Sequence, residues 1–351
     1  MNSDDFEYLL MYTRMTLEGD RVVFVPFNGV DKTIVDKLVQ KNSLDNISAE
    51  QFMKLANQLY PIIQTKKKLR EKKISDFKNM SSEDAAQLSL KEKVEYLGAI
   101  FHRCQTQDNL DNIYSENKEQ LKSLLYNIQY PKEFFQKEEQ LADRFISLVS
   151  NNSQITDNMK NWSTLELEDK KATIKETAKI IEYAYGASLN IDFYTSEEYR
   201  KENNLSENAH VPGAQHDSST GKISFNTERL DSDNYMGISV LFHEFMHQRQ
   251  REIDFGDPSI NKLFELSNML YNAYNYESRN VASSSPEFGD FYSLMPDEIH
   301  SFAMQKYVED GIMEKTGIEK TREETSKTTI QVHAKSFAMA ASAKYRSTNQ
   351  N

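Results

Sequence analysis

Apolar residues follow helical spacing along most of the chain up to about residue 160. Val94, Leu97 and Phe101 recur at intervals of three and four, and a similar set from Phe134 to Leu148 follows a proline at position 131. Because such intervals place side chains on one face of a helix, this half is predicted to be mainly helical. One short apolar run, at residues 22–25, predicts a strand.

The polar stretch at residues 151–164 is rich in Asn and Ser and predicts a linker. A domain boundary is therefore expected near residue 160. The predicted organisation is a mainly helical domain of unknown role over residues 1–160, a second domain over residues 161–316, and a polar, Ala-rich tail over residues 317–351.

The second half alternates between helical and strand patterns. Helical spacing at about residues 168–185 ends at Gly186, and the alternation of Leu189, Ile191 and Phe193 predicts a half-buried strand. A hairpin is predicted over residues 210–226, with its turn at residues 217–221. Helices should follow at about residues 231–252, 259–274 and 296–313, the last one opened by a proline. The predicted fold class is α+β.

Composition excludes some classes of protein. Hydrophobic residues make up 38% and charged residues 27% of the 351 residues, which is too apolar for a wholly disordered chain. The net charge of -12 argues against nucleic acid as a partner, since phosphate binding needs an excess of Lys and Arg. The basic stretch at residues 66–73 is interrupted by Glu71 and is interpreted as a solvated helix face.

Compartment follows from three features of the sequence. Cys104 is the single cysteine, so no intrachain disulfide forms, which favours a reducing compartment. The acidic start of the chain does not resemble a secretory signal peptide, and no apolar run is long enough to span a bilayer. We therefore expect a cytoplasmic protein, and export by a specialised secretion system also fits these features.

The chemistry-bearing segment is His243-Glu244-Phe245-Met246-His247. Residues four apart lie on one helix face, so His243 and His247 can direct two imidazoles at one metal ion such as zinc. Glu244 lies about one hundred degrees around the helix, so it can reach a water bound to that ion instead of competing as a ligand. The segment predicts metal-assisted hydrolysis with Glu244 as general base.

Residues from about 168 to 310 resemble a zincin-fold metallopeptidase of the gluzincin type, and the specific part of this resemblance is the His-Glu-x-x-His motif. It implies one Zn²⁺ ion, a helix-over-sheet lobe, a glutamate ligand on a later helix, and an edge strand that binds an extended peptide or protein substrate. The strand at residues 221–226 is placed like that edge strand. The alternative is that this strand only completes the sheet.

Two glutamates fit the third ligand. Glu265 is near the spacing of thermolysin-like and aminopeptidase-like proteins, and Glu298 lies in a segment similar to the glutamate helix of small bacterial His-Glu-x-x-His proteins. Glu298 is preferred because Phe302, one turn later, indicates that its side is buried, and an inward carboxylate needs a cation. The helix dipole also favours an acidic residue in a first turn. Asp297, Glu277 and His300 remain further alternatives.

The resemblance also implies a hydrogen-bond donor that stabilises the oxyanion formed when water attacks the substrate carbonyl. Tyr292 is the first candidate by position. His300, His210 and His216 are the others. The leading hypothesis is a zinc metallopeptidase, acting inside the cell or as a secreted effector on a host protein. The alternatives are a regulatory or binding protein with a structural or sensing metal, and a hydrolase of another class that uses the same chemistry.

Overall fold

The computed structural model describes residues 1–27, 32–102, 116, 119–125, 128, 130–209, 211–217, 220–267 and 295–321. Helices dominate these residues, and two small sheets accompany them, so the chain is α+β as predicted. Its contacts divide it into two compact units, Met1–Asn79 and Met80–Asn351. Within the described ranges, no helix combines the length and the apolar composition needed to cross a membrane.

The first unit combines three helices with a hairpin. Its elements are α1 (Ser3–Tyr12), β1 (Thr13–Glu18), β2 (Arg21–Pro26), α2 (Lys32–Lys41) and α3 (Ala49–Lys78). Gly19 turns the hairpin with φ +66°, a conformation that glycine adopts without strain. β2 contains the predicted strand, and its Val22 and Phe24 pack on Phe6 and Phe52 in the core of the unit. β1 was not predicted, because most of its side chains are exposed.

The second unit contains eight helices with complete bounds and three strands in the described ranges. The helices are α4 (Ser82–Gln87), α5 (Leu90–Phe101), α6 (Lys132–Ser150), α7 (Ser153–Lys160), α8 (Leu167–Tyr185), α9 (Ser196–Glu202), α10 (Leu241–Glu252) and α11 (Pro296–Thr316). Residues 119–125 and 258–267 are also helical. The strands are β3 (Asn190–Tyr194), β4 (Ala214–Asp217) and β5 (Lys222–Asn226).

The structure corrects the predicted linker at residues 151–164. This stretch contains α7, and its Ile155, Met159 and Trp162 are almost fully buried. Ile155 and Met159 lie four residues apart on one face of α7, and Trp162 follows in a short 3₁₀ turn, so burial of these side chains outweighs the polar composition of the other positions. They share a core with residues of α6 and α10, so the boundary predicted near residue 160 does not coincide with the division at Asn79.

The three strands form a mixed sheet in the order β3-β5-β4. β3 runs parallel to β5, and β4 runs antiparallel to it, with Ala214 opposite Phe225 and Asp217 opposite Lys222. The strand and hairpin predictions are therefore confirmed. Of the two interpretations of residues 221–226, the substrate-binding edge is wrong and the strand that completes the sheet is confirmed, because β5 is the central strand and both of its edges are paired. Among the described strands, β4 lies at an edge instead.

Helix α10 begins after a wide π-type turn, Met236–Val240, and ends at Glu252 as predicted. The Asp233 carboxylate accepts a hydrogen bond from the backbone N–H of Tyr235 at the start of this helical segment. Gly237 lies so close to α8 that a Cβ built on it would be 2.7 Å from Ile174 Cγ1. A small residue at this position therefore allows the segment that carries the motif to approach α8.

Helix α11 begins with Pro296 at its first turn, as predicted, and ends at Gly317 with φ +67°. Pro suits this position because its missing N–H would have no partner inside the helix. Helix α8 likewise ends at Gly186 with φ +68°. The predicted helix at residues 259–274 is seen up to residue 267, and the C-terminal tail lies outside the described residues beyond residue 321.

Candidate metal centre

Helix α10 places the His-Glu-x-x-His segment in the interior of the second unit. Phe242, Phe245 and Met246 are almost fully buried in the main core, which fixes the rotation of the helix. His243 and Glu244 are 6% and 9% exposed. The two histidines lie one turn apart, and their Nε2 atoms are 3.1 Å from each other. The predicted geometry of the pair is confirmed.

Helix α11 brings Glu298 to the same point. Its Oε2 is 3.5 Å from His243 Nε2, its Oε1 is 3.4 Å from His247 Nε2, and the residue is 2% exposed. His243, His247 and Glu298 form a group that could hold a metal ion. A buried carboxylate is costly unless a cation neutralises it, and protonated imidazoles or a bound ion would supply that positive charge here.

The charges of this group are strongly coupled. Burial alone would lower the pKa of His247, but the Glu298 carboxylate beside it raises that pKa to about 9. Burial alone would raise the pKa of Glu298, but the nearby imidazoles, His247 first and then His243, hold it well below its ordinary value. The pocket therefore favours a positive charge next to an ionised Glu298.

Glu244 lies beside the three ligand candidates without joining them. Burial raises its pKa above the ordinary value, and the nearby His243 and His247 oppose that rise. The backbone N–H of His216, on strand β4, donates a hydrogen bond to its carboxylate. A carboxyl group with a raised pKa is well matched to accepting and returning a proton near neutral pH.

His216 extends the site to the edge of the sheet. Its Nδ1 is 3.4 Å from Arg251 Nη1, and a guanidinium can only donate, so Nδ1 accepts and Nε2 carries the hydrogen. Burial lowers the pKa of His216 to about 3, with Arg251 and His247 contributing in the same direction, so the ring is neutral. Its Nε2 makes no hydrogen bond within the described part of the chain.

The other ligand candidates lie elsewhere. Glu265 is exposed and forms an ion pair with Lys262 at 2.7 Å. His300 is fully buried, faces away toward Phe134 and Phe264, and accepts a hydrogen bond at Nδ1 from Gln250. Asp297 is outside the cluster, and burial raises its pKa to about 6. Among the described ligand candidates, Glu298 is therefore the carboxylate that groups with the two histidines. Three other candidates, Tyr292, Glu277 and His210, lie outside the described residues.

Several residues that support the centre were not found from the sequence. Arg249 on α10 makes two hydrogen bonds, of 2.7 and 3.0 Å, to Glu138 on α6, and the two side chains are 4% and 0% exposed. Gln250, also on α10, is hydrogen-bonded to His247 and to α11. Its position three residues after His247 could have indicated this contact, because residues three apart are neighbours on a helix. Glu138 gives no such signal, since it is far away in the sequence.

No protein-family model matches this chain, and no curated protein or solved structure matches it either.

Proposed function

We propose that this protein is a zinc-dependent peptidase in which His243, His247 and Glu298 hold the ion and Glu244 is the general base. The observation that carries the proposal is the buried convergence of two imidazole nitrogens and one carboxylate, separated by 3.1–3.5 Å, next to a second carboxylate. A structural zinc site usually has four protein ligands, whereas three ligands and an adjacent base are typical of a catalytic one.

The donor set fits zinc in type and spacing. Zinc binds imidazole nitrogen and carboxylate oxygen at about 2.0–2.2 Å, so neighbouring donors of a tetrahedral site lie about 3.4 Å apart. The three separations of 3.1, 3.4 and 3.5 Å are close to that value. The ionised Glu298 also supplies negative charge at a position where it is almost fully buried. Little rearrangement would be needed for these residues to hold the ion.

The residues around the ion divide the chemistry between them. When bound, zinc polarises a carbonyl group and brings the pKa of a coordinated water near 7. Glu244 takes the proton of the attacking water, holds it at its carboxylate and passes it to the leaving amine nitrogen. Its raised pKa suits both transfers, because a strongly acidic carboxyl would hold the proton too weakly.

Strand β4 gives the proposed substrate an extended surface. Asn226 N–H donates to Gly213 C=O, and hydrogen-bonded pairs alternate along an antiparallel ladder, so the N–H and C=O groups of Ala214 and His216 point away from β5. His216 N–H is engaged by Glu244, which sets this edge beside the proposed base. A peptide that pairs with the edge would lie next to the centre.

His216 is the described residue that best fits the expected oxyanion donor. Its neutral ring carries a hydrogen at Nε2, as the Arg251 contact requires, and neutral donors stabilise developing negative charge without a change of protonation. Tyr292 keeps its place as the candidate from the sequence. The arrangement of sheet, α10 and α11 supports the proposal of a gluzincin-like lobe.

Two rival functions use the same site differently. A regulatory or binding protein with a structural or sensing metal would need the three ligands but no base, so the buried Glu244 beside them favours catalysis. A hydrolase acting on another substrate would share the ligands and the base. The peptidase is favoured over it by the edge of β4, whose outward-pointing backbone groups can pair with an extended peptide. A secreted effector would be a peptidase with a host protein as substrate.

Metal analysis and a peptide-library assay test the proposal together. The purified protein should contain one zinc per chain and cleave members of a mixed peptide library, with products identified by mass spectrometry. Glu244→Gln should retain zinc and lose hydrolysis by a factor of about 10²–10⁴, the usual contribution of a general base. Glu252→Gln, at the end of the same helix, is the matched control and should retain activity.

The outcomes separate the proposal from its rivals. A folded wild-type protein that binds no zinc contradicts the metal centre. Zinc without hydrolysis of any peptide favours the binding protein or a hydrolase of another class. Glu244→Gln with wild-type hydrolysis would show that another residue is the base.

A further inference from the structure

Gln250 connects the two helices that supply the ligands. It lies on α10, is 6% exposed, and its amide reaches both His247 and helix α11. Its Oε1 is 3.1 Å from His247 Nδ1, and its Nε2 is 3.0 Å from the backbone carbonyl of Asp297. The same Nε2 is 2.9 Å from His300 Nδ1 and 3.1 Å from Ser301 Oγ. One buried amide therefore contacts the ring of one ligand residue and the helix of another.

The partners decide which way the amide of Gln250 points. The carbonyl of Asp297 has no hydrogen to donate, so the atom that faces it must be the amide nitrogen. The amide oxygen then faces His247 Nδ1, and an amide oxygen only accepts. His247 must consequently carry a hydrogen at Nδ1. Its Nε2, which points at His243 and Glu298, is then the nitrogen that can give up its proton to hold an ion.

We propose that Gln250 is the positioning residue of this centre, which holds His247 in the ring state that binds metal and ties the first turn of α11, with Glu298, to α10. The proposal rests on the metal site proposed above. It goes further, because it assigns the preorganisation of two ligands from different helices to one side chain. A metal-binding imidazole that donates its other N–H to a fixed acceptor is held in both tautomer and orientation.

His243 shows that this support is specific to one ligand. Its Nδ1 makes no hydrogen bond to any described residue, and its ring packs instead against Phe302, with ring centres 4.3 Å apart. His243 is therefore oriented by packing, whereas His247 is oriented by a hydrogen bond. Loss of Gln250 would leave the Nδ1–H of His247 and the carbonyl of Asp297 buried without this partner, which favours rearrangement of both.

Gln248 provides a matched control on the same helix. It is 5% exposed, and its Nε2 donates to the Ser188 carbonyl and to Glu252, away from the ligands. Gln248→Met and Gln250→Met therefore remove the same group from similarly buried positions. Zinc affinity, measured by competition with a chromophoric chelator, should fall by about 10–100-fold in Gln250→Met, as for other residues that support a ligand. Gln248→Met should stay within about threefold of wild type, since it contacts no ligand.

Nuclear magnetic resonance of the His247 ring tests the proposal without metal. The Nδ1–H proton of the metal-free wild-type protein should be observed downfield and exchange slowly with water. Gln250→Met should shift this signal upfield and accelerate its exchange by about tenfold, the effect of losing one hydrogen bond. Gln250→Glu keeps an acceptor at this position and should keep the signal. A merely structural role for Gln250 would leave the ring proton unchanged in all three proteins.

The wild-type measurement keeps the test decisive if Gln250→Met does not fold. A wild-type His247 with no hydrogen at Nδ1, or equal zinc affinities in Gln250→Met and Gln248→Met, overturns the proposal. A wild-type protein that binds no zinc but shows the protected Nδ1–H contradicts the proposed function alone and supports the role of Gln250 in orienting the ring.

Discussion

Substitution of Glu298 by Gln removes one negative charge from a carboxyl group that is 2% exposed and lies 3.4 Å from His247 Nε2. Gln has nearly the same shape, so the change tests charge with little change in packing. In the metal-free wild-type protein, Glu298 holds the pKa of His247 at about 9, against the ordinary value of 6.5. Without this carboxylate, burial still lowers the His247 pKa, and only the weaker influence of Glu244 and Asp297 is known to oppose it, so the pKa should fall well below 9.

The magnitude follows from the size of that shift. A rise from 6.5 to about 9 corresponds to about 3 kcal/mol of stability in the metal-free folded protein. Because the folded-state pKa is the higher one, this stability is fully present below pH 6.5 and is lost as the pH rises through about 9. The pKa of Glu298 is lowered and its carboxyl stays ionised throughout, so it adds no pH dependence in this window.

Urea unfolding of metal-free protein between pH 6 and pH 10 measures the effect. The free energy of unfolding of wild type should fall by about 3 kcal/mol more across this range than that of Glu298→Gln. Glu265→Gln, at the exposed carboxylate paired with Lys262, should follow wild type. Equal pH profiles for wild type and Glu298→Gln would refute the coupling between Glu298 and His247, and with it the argument that this pocket is built for a cation.

Two further predictions concern the support of α10. Glu138→Gln breaks the buried pair with Arg249 and should lower the free energy of unfolding, measured by urea denaturation, by about 3–5 kcal/mol. The double variant Glu138→Leu with Arg249→Met replaces the pair by apolar side chains and should recover most of that loss. A loss below about 1 kcal/mol in Glu138→Gln would contradict this account. Gly237→Ala places a Cβ 2.7 Å from Ile174 Cγ1 and should lower the free energy of unfolding by about 1–3 kcal/mol and the melting temperature with it. Gly98→Ala is the control and should be neutral or stabilising, because the nearest atom to its Cβ, Leu266 Cδ1, is 3.9 Å away. Equal melting temperatures for the two variants would show that the contact at Gly237 relaxes without cost.

Local patterns predicted the relative positions of His243, Glu244 and His247 because the helix itself sets their spacing. The buried side of Glu298 could also be predicted from Phe302 one turn later. Gly186, Pro296 and the alternation at residues 189–193 act through nearest neighbours, so the boundaries of α8, the start of α11 and the position of β3 followed from the sequence. These features need only local conformational preferences.

Long-range pairing is where prediction from the sequence failed. The pattern at residues 221–226 leaves open whether this strand lies at an edge or completes the sheet, because its neighbour β3 is separated from it by helix α9 and no local pattern states which strand lies in the middle. Strand β1 could not be predicted from apolar alternation, because most of its side chains are exposed. The Gly19-Asp20 pair before β2 is nevertheless typical of a hairpin turn and could have indicated it. The polar composition of residues 151–164 predicts a linker, whereas Ile155, Met159 and Trp162 are buried by packing in a core that they share with α6 and α10.

The most direct test of the metal centre is to identify the atoms that bind zinc. Crystals of the zinc-loaded protein, measured on both sides of the zinc absorption edge, locate the ion by its anomalous scattering. We predict one peak bonded to the Nε2 atoms of His243 and His247 and to the carboxylate of Glu298, with Glu244 close by and unbonded to the ion. A peak on any other set of residues, or no peak at this position in zinc-loaded crystals, would contradict the account.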